Sequence, residues 1–180
     1  LRRQRQMCIR DSVVADGVSS TEGAEECARV ASHTARDYLA ATMDQGLPIN
    51  DDDTVTLFER TFQKTHEAVV SGSGPIGACT LAVAVATHDR IVVGNIGDTR
   101  TYWFPDDGDP VRLSIDDSMA QAQMDLGLSR EEAERGMGAH AITKWIGASA
   151  TDVAPRVMAY QPQQSGWLLV CSDCLLYTSD

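Results

Sequence analysis

Three aspartates stand at the ends of apolar segments. The segments VVAD, NIGD and LLVCSD end at Asp16, Asp98 and Asp173. A carboxylate at the end of a buried strand is costly unless a cation or several N–H donors meet its charge. A single aspartate of this kind is ordinarily a turn residue that caps its own backbone. Three of them in one domain favour a cluster that binds a hard metal ion.

A cluster of this kind is suited to phosphoryl chemistry. Carboxylate and carbonyl oxygens are the ligands that Mg²⁺ and Mn²⁺ prefer. Because a carboxylate has two oxygens, one aspartate can bridge two ions. Two ions about 4 Å apart can hold a hydroxide ready for in-line attack on phosphorus. The chain has no Ser–His or Cys–His arrangement that would offer a protein nucleophile instead.

Two helices are predicted between the first and second of these aspartates. Apolar residues recur at helical spacing over residues 22–43, with charged residues on the opposite side. A second helix is predicted from about Asp53 to the breaker sequence SGSGPIG at 71–77. Later in the chain, residues 116–147 turn helical again, and Ser129 with Glu132 forms a capping-box signature.

The remaining segments predict strands. Residues 13–15 are a short apolar run, and the segments CTLAVAVAT, RIVVGNIG and TRTYWF are separated by turn signals. Consecutive runs with short links favour an antiparallel meander. VRLSI at 111–115, RVMAY at 156–160 and GWLLVCSD at 166–173 are further strands. Helices, then strands, then helices predict an α+β fold with antiparallel sheets.

The two ends of the chain do not resemble the edges of a folded domain. Residues 2–12 can be encoded by a DNA string whose reverse complement, in a shifted frame, encodes residues 174–180. That string resembles a transposase adaptor used in sequencing libraries. We therefore interpret residues 1–12 and 174–180 as adaptor-derived tails that are not native to the folded domain. Residues 13–173 are then expected to form one partial domain, incomplete at both ends.

Charge and cysteine usage narrow the class of protein. The net charge is −11, and the two predicted tails hold four arginines, so the remainder is more acidic still. Such a surface repels phosphate backbones and anionic lipid, which argues against nucleic-acid and membrane partners. Cys27, Cys79 and Cys171 are expected to be buried, reduced thiols of a cytoplasmic protein.

Histidine and tryptophan add no second site. The four histidines lack metal-ligand spacing and are expected to be surface or packing residues: His33, His66, His88 and His140. Trp145 and Trp167 are expected to be core anchors.

Six segments together resemble a known family. VVADGVSS, GACTLAVAV, NIGDTRTYW, LSIDDS, AITKWIG and WLLVCSD occur in the order found in bacterial metal-dependent protein serine/threonine phosphatases, the protein phosphatase 2C family. The resemblance spans essentially all of residues 13–173. It implies a four-layer α-β-β-α sandwich, in which helices flank two antiparallel sheets, with a dimetal centre in a cleft at one end.

The resemblance also implies roles for particular residues. Asp16 resembles the aspartate that bridges both ions, and Gly17 the residue whose carbonyl binds one of them. Asp173 resembles a metal-ligating aspartate, and Asp98 a residue that holds a weaker third ion. The ions would be Mn²⁺ or Mg²⁺. Arg100 resembles an arginine that we expect to be a structural ion-pair partner.

Several positions depart from the family pattern. Ser19 and Ser20 replace two glycines, Cys79 replaces a small hydroxyl residue, and Asp117 replaces the histidine of a DHS motif. The last change puts a role for that position in doubt. Residues 119–139 coincide with the mobile flap of bacterial members, although plain helix ends would also account for its glycines. The resemblance also leads us to expect further coordinating segments upstream and downstream of this stretch.

The resemblance implies hydrolysis of phosphoserine and phosphothreonine on proteins by a hydroxide that bridges two metal ions. The expected partners are phosphorylated proteins that a serine/threonine kinase supplies, and the expected protein is a cytoplasmic monomer. The 180-residue chain itself is expected to be inactive. The alternatives are a non-catalytic regulatory or binding domain of the same fold, and an unrelated acidic α+β binding module whose aspartates only form turns.

Overall fold

The computed structural model describes residues 10–43, 46–48, 50–72 and 77–173. Most of the predicted tail sequence, residues 1–9 and 174–180, therefore lies outside the described residues, and residues 10–12 continue the first strand. The elements in chain order are β1 Arg10–Gly17, α1 Ala24–Thr42, α2 Asp51–Val70, β2 Ala78–Ala86, β3 Ile91–Ile96, β4 Arg100–Pro105, β5 Val111–Arg112, α3 Met119–Asp125, α4 Arg130–Arg135, β6 Ile146–Gly147, β7 Arg156–Tyr160 and β8 Gly166–Cys171.

The fold is α+β, as predicted, with two antiparallel sheets. The larger sheet has the order β1-β2-β3-β7, and β6 pairs with β2. The smaller sheet has the order β5-β4-β8. β2 is the central strand, and all its residues except Ala86 are buried because both faces of the larger sheet are covered.

Helices α1 and α2 cover one face of the larger sheet. α1 places small residues at intervals of four along its buried side, which lets it lie close to the strands: Cys27, Ala31 and Ala35. Asn50 caps the start of α2, and its side chain accepts hydrogen bonds from the backbone N–H of Asp52 and Asp53. Phe58 packs over Gly94 of β3, where a Cβ would lie 2.6 Å from its ring.

A second core fills the space between the two sheets. It is formed by Ala84, Ile91, Val93, Trp103 and Leu113. The interpretation of Trp167 as a core anchor is wrong, since this side chain is 77% exposed. Strand alternation explains the difference, because Leu168 and Val170 face inward on β8 and Trp167 therefore faces outward. Across the parts of the chain that are described, no long helix covers this outer face.

Three other predictions differ from the structure. β2 and β3 form the predicted hairpin, but β4 leaves for the smaller sheet, and β7 takes the place beside β3. The predicted meander is therefore wrong beyond β3. Residues 140–145 are irregular rather than helical, and the chain then enters the short strand β6. The fourth predicted strand shrinks to β5, which has two residues in register with β4; the next residue, Leu113, still donates its backbone N–H to the carbonyl of Thr101 at 2.8 Å.

Candidate metal centre

Asp16 and Gly17 are the last two residues of β1. They pair with Thr80 and Cys79 on β2. After the loop of residues 18–23 the chain enters α1 at Ala24, and a Cβ on Gly17 would lie 2.8 Å from the carbonyl oxygen of Ala24. Only glycine fits this close approach of strand and helix, so the backbone around Asp16 is held firmly.

Asp98 lies in the turn that carries the chain from the larger sheet to the smaller one. Gly97 precedes it with φ of 90°, a conformation that favours glycine. The same glycine packs on β2, because a Cβ there would lie 2.5 Å from Cγ2 of Thr80. Since Thr80 is the strand partner of Asp16, the two acidic turns are brought to one edge of the sheet.

Asp173 reaches that edge from β8. Arg100 on β4 pairs with Cys171 on β8 in antiparallel register. The same register carried two residues further sets Asp98 opposite Asp173. Asp16, Gly17, Asp98 and Asp173 all line one open cavity of about 610 Å³. The structure thus brings the four predicted site residues to a single cleft.

The electrostatics of the cleft suit a cation. Burial, and then the negative charge of Asp173, raise the pKa of Asp98 to about 6. The positive charge of Arg100 lowers the pKa of Asp98 only slightly against these effects, and Arg100 is already paired with Asp116. Adjacent carboxylates of this kind are relieved by a divalent ion with oxygen ligands. The residues present therefore fit a hard metal ion.

The carboxylates are spread along the cleft rather than gathered at one point. Among the residues that the structure describes, no group of three or more His, Cys, Asp or Glu side chains could hold a single ion. This spacing is compatible with ligands distributed over more than one ion.

The family model described as protein phosphatase 2C matches residues 3–174. The chain belongs to the protein phosphatase 2C family. It accordingly belongs with the metal-dependent protein serine/threonine phosphatases, a class that uses divalent metal ions and acts on phosphoproteins. The resemblance read from the six sequence motifs is confirmed. No curated protein sequence matches the chain.

Solved bacterial phosphatases share the fold. PstP/Ppp of Mycobacterium tuberculosis is 22% identical with a TM-score of 0.71, over 96% of this chain and 74% of that chain. Stp1 of Staphylococcus aureus is 20% identical with a TM-score of 0.72, over 92% of this chain and 65% of that chain. A PstP catalytic domain in complex with two manganese ions is 22% identical with a TM-score of 0.63, over 96% and 73%. The chain therefore spans between 65% and 74% of the length of these structures.

Two residues that the sequence analysis placed at the surface or in the core lie instead at the border of this cleft. His140 is exposed and lines the wall, although it was interpreted as an ordinary surface residue. Trp145 is half-buried in the same wall with Ile142, and its Nε1 donates to Oγ of Ser149 at 3.1 Å. The motif AITKWIG could have indicated that these residues lie at the cleft. It contributed to the family resemblance, but none of its residues was given a role.

The arginine of the GDTR motif has a structural role in this phosphatase. Nη2 of Arg100 lies 2.7 Å from Oδ2 of Asp116, and Arg112 binds the other carboxylate oxygen. Asp116 is buried, so two cations balance one desolvated carboxylate. The expectation for Arg100 is confirmed.

The serines that replace the family's two glycines do not strain the loop. Within the described ranges, no residue other than glycine has a positive φ. Ser19 and Ser20 therefore adopt ordinary backbone conformations while lining the cleft.

The predicted flap lies beside the cleft. α3 and α4 occupy most of residues 119–139, and Gln121, Met124 and Arg130 line a small cavity together with Asp98. Gly127 follows the end of α3 with φ of 100°, so its place in the structure is that of a helix end. The predicted capping box at the start of α4 is confirmed.

None of the described helices is long and apolar enough to cross a membrane.

Proposed function

We propose that Asp16, the carbonyl of Gly17 and Asp173 hold two Mn²⁺ or Mg²⁺ ions in the cleft, and that Asp98 holds a weaker third ion. The enzyme would hydrolyse phosphoserine and phosphothreonine on proteins. The observation that carries the proposal is the convergence of three aspartates, from β1, the β3–β4 turn and the end of β8, on one cavity.

The chain's own residues supply position rather than a nucleophile. When bound, divalent ions activate a water molecule and offset charge on the phosphoryl oxygens. Asp16 is kept in place by the close packing of Gly17 on α1. Cys79 cannot substitute as a nucleophile, because its contact with Cys27 and its burial raise the pKa of its thiol. The three cysteines within the described residues are buried and free, as predicted.

The cleft wall offers a place for the substrate chain. Ile142 and Trp145 form an apolar surface beside the aspartates, and His140 stands next to them. A phosphorylated side chain directed at the acidic end would lay its peptide along this wall. The proposed enzyme is a cytoplasmic monomer. In signalling, it removes phosphoryl groups that a serine/threonine kinase has added.

The proposal is tested on the full-length protein with a phosphothreonine peptide. We expect Mn²⁺-dependent hydrolysis that Asp16→Ala lowers by at least about a hundredfold, since misplaced or missing site groups cost about that much. The matched control is Asp37→Ala, which removes an exposed carboxylate on α1. Hydrolysis that survives Asp16→Ala unchanged would contradict the mechanism. A wild-type protein that shows neither turnover nor an Mn²⁺-dependent thermal shift would instead support a non-catalytic domain.

A further inference from the structure

Asp117 stands where the family's DHS motif has histidine, and the sequence left its role in doubt. The structure buries its side chain to 1% exposure. A desolvated carboxylate is retained only when donors and a cation balance it. Its partners therefore indicate what the substitution does.

The first partner of Asp117 is the turn that carries Asp98. Oδ2 of Asp117 accepts a hydrogen bond from the backbone N–H of Gly97 at 3.2 Å. The backbone N–H of Asp117 in turn donates to the carbonyl of Gly97 at 2.8 Å. Gly97 is thus held by both its N–H and its C=O, which leaves little freedom to the adjacent Asp98.

The second partner is Arg156 on β7. Its Nε donates to Oδ1 of Asp117 at 2.8 Å. β7 pairs with β3, and Arg156 lies opposite Asn95, so the arginine is anchored close to the same turn. Its Nη2 also lies 3.7 Å from Oδ2 of Asp125, the last residue of α3.

The third partner belongs to the cleft wall. The carbonyl of Asp117 accepts a hydrogen bond from the backbone N–H of Thr143 at 2.8 Å. Thr143 directly follows Ile142, which lines the cleft. One buried residue therefore connects the Asp98 turn, the wall, and, through Arg156, the end of α3.

We propose that Asp117 and Arg156 form a positioning pair that fixes the Gly97–Asp98 turn and thereby sets how tightly Asp98 holds its ion. The inference rests on the proposed function, because it concerns the ion assigned to Asp98. On this account the aspartate in place of histidine is not a loss of function. It is one half of a new ion pair whose other half is on β7.

The test uses the full-length protein and Arg156→Gln. Calorimetric titration with MnCl₂ should show the weakest binding event weakened by about tenfold, which corresponds to about 1.4 kcal/mol. The tighter events should stay unchanged. The Mn²⁺ concentration for half-maximal hydrolysis should rise by the same factor, while kcat at saturating Mn²⁺ stays within about twofold. Hydrogen exchange should accelerate in the peptide that contains Gly97 and Asp98.

Three further variants separate positioning from general stability. Asp117→Asn keeps an acceptor for the N–H of Gly97 but loses the negative charge. If the two residues act as a pair, the double variant Asp117→Asn/Arg156→Gln should bind the weakest Mn²⁺ ion no less tightly than the worse of the two single variants. Arg90→Gln is the matched control, because it removes a tertiary arginine–carboxylate pair with Asp51 just before β3, at the end of the strand away from Asp98. It should leave every Mn²⁺ event unchanged.

The inference is overturned if Arg156→Gln and Asp117→Asn leave the weakest Mn²⁺ event at its wild-type affinity, or if Arg90→Gln weakens it equally. Arg156→Lys keeps the charge and should recover part of the affinity. A wild-type protein that binds no Mn²⁺ would contradict the proposed function itself. If the wild-type protein binds Mn²⁺ normally and Arg156→Gln and Asp117→Asn bind it with the same affinity, only the positioning role is contradicted.

Discussion

Gly17→Ala tests whether the junction of β1 and α1 positions the metal ligands. The added Cβ would lie 2.8 Å from the carbonyl oxygen of Ala24, 2.9 Å from its carbonyl carbon and 3.0 Å from its Cβ. Ordinary contacts begin near 3.4 Å, so the strand end and the helix must separate by about 0.6 Å. Both obstructing groups are backbone or attached to it, and cannot rotate away.

The expected cost in the free energy of unfolding is about 2 kcal/mol, typical of overpacking. This lowers Tm by about 4 to 8 °C for a domain of this size. The loss of activity should be much larger. The displacement of about 0.6 Å beside Asp16 should reduce kcat/KM by at least about tenfold, even at saturating Mn²⁺, because a misplacement of about 1 Å costs about a hundredfold.

The assay compares the thermal midpoint with peptide hydrolysis for the full-length protein. Gly72→Ala is the control, because its Cβ would meet the nearest atom, the carbonyl oxygen of Val69, at 3.4 Å, an ordinary contact. If Gly17→Ala lowers Tm as expected but keeps wild-type kcat/KM, the strand end does not position the site, and the reasoning fails.

Two further predictions concern charge and packing. Because the pKa of Asp98 in the folded protein is about 6 and its ordinary value is 3.8, the folded state holds this proton more tightly than the unfolded state. The metal-free protein should therefore lose stability as the pH rises from about 4 to about 6. Chemical denaturation at several pH values measures this loss, and Asp98→Asn should remove it. If the pH profile of Asp98→Asn is the same as that of the wild type, the pKa of Asp98 is not raised. Trp103→Ala should cost about 3 to 5 kcal/mol because it empties the inter-sheet core. Trp167→Ala should cost under about 1 kcal/mol, since its side chain is exposed, and equal costs in denaturant titrations would contradict the assignment of the two faces.

Local patterns predicted most elements of the fold. α1 and α2 follow from apolar residues at helical spacing, and the β2–β3 hairpin from period-two alternation with a turn between. These signals are local, and the side chains that produce them are those that the core buries. The α+β class followed from the order of the elements.

Local sequence patterns do not predict which distant strands pair with each other. A glycine turn such as that at Gly97 looks the same in the sequence in two cases: the chain returns to its own sheet, or it crosses to another sheet. The crossing of β4 therefore escaped prediction, and with it the β4–β8 register that faces Asp98 with Asp173. Trp167 was predicted to be buried because its side chain is large and apolar. Whether it is buried depends on which face of β8 packs against the larger sheet, and the sequence does not show this.

The candidate site was predicted in a different way. Apolar strands that end in aspartate suggested metal chemistry, and the family resemblance supplied the roles of individual residues. The contribution of Asp117 was not predictable, because its partner Arg156 is 39 residues away and on another strand. The cleft wall at His140 and Trp145 was missed because the segment was expected to be helical.

The central claim is that Asp16, Asp98 and Asp173 meet to bind divalent ions. The most direct measurement is a crystal structure of the full-length protein grown with Mn²⁺, with anomalous differences collected to locate the metal. We expect at least two manganese peaks in the cleft, with carboxylate oxygens of Asp16 and Asp173 within about 2.5 Å of them. A well-ordered cleft without such peaks, or manganese bound only elsewhere, would contradict it.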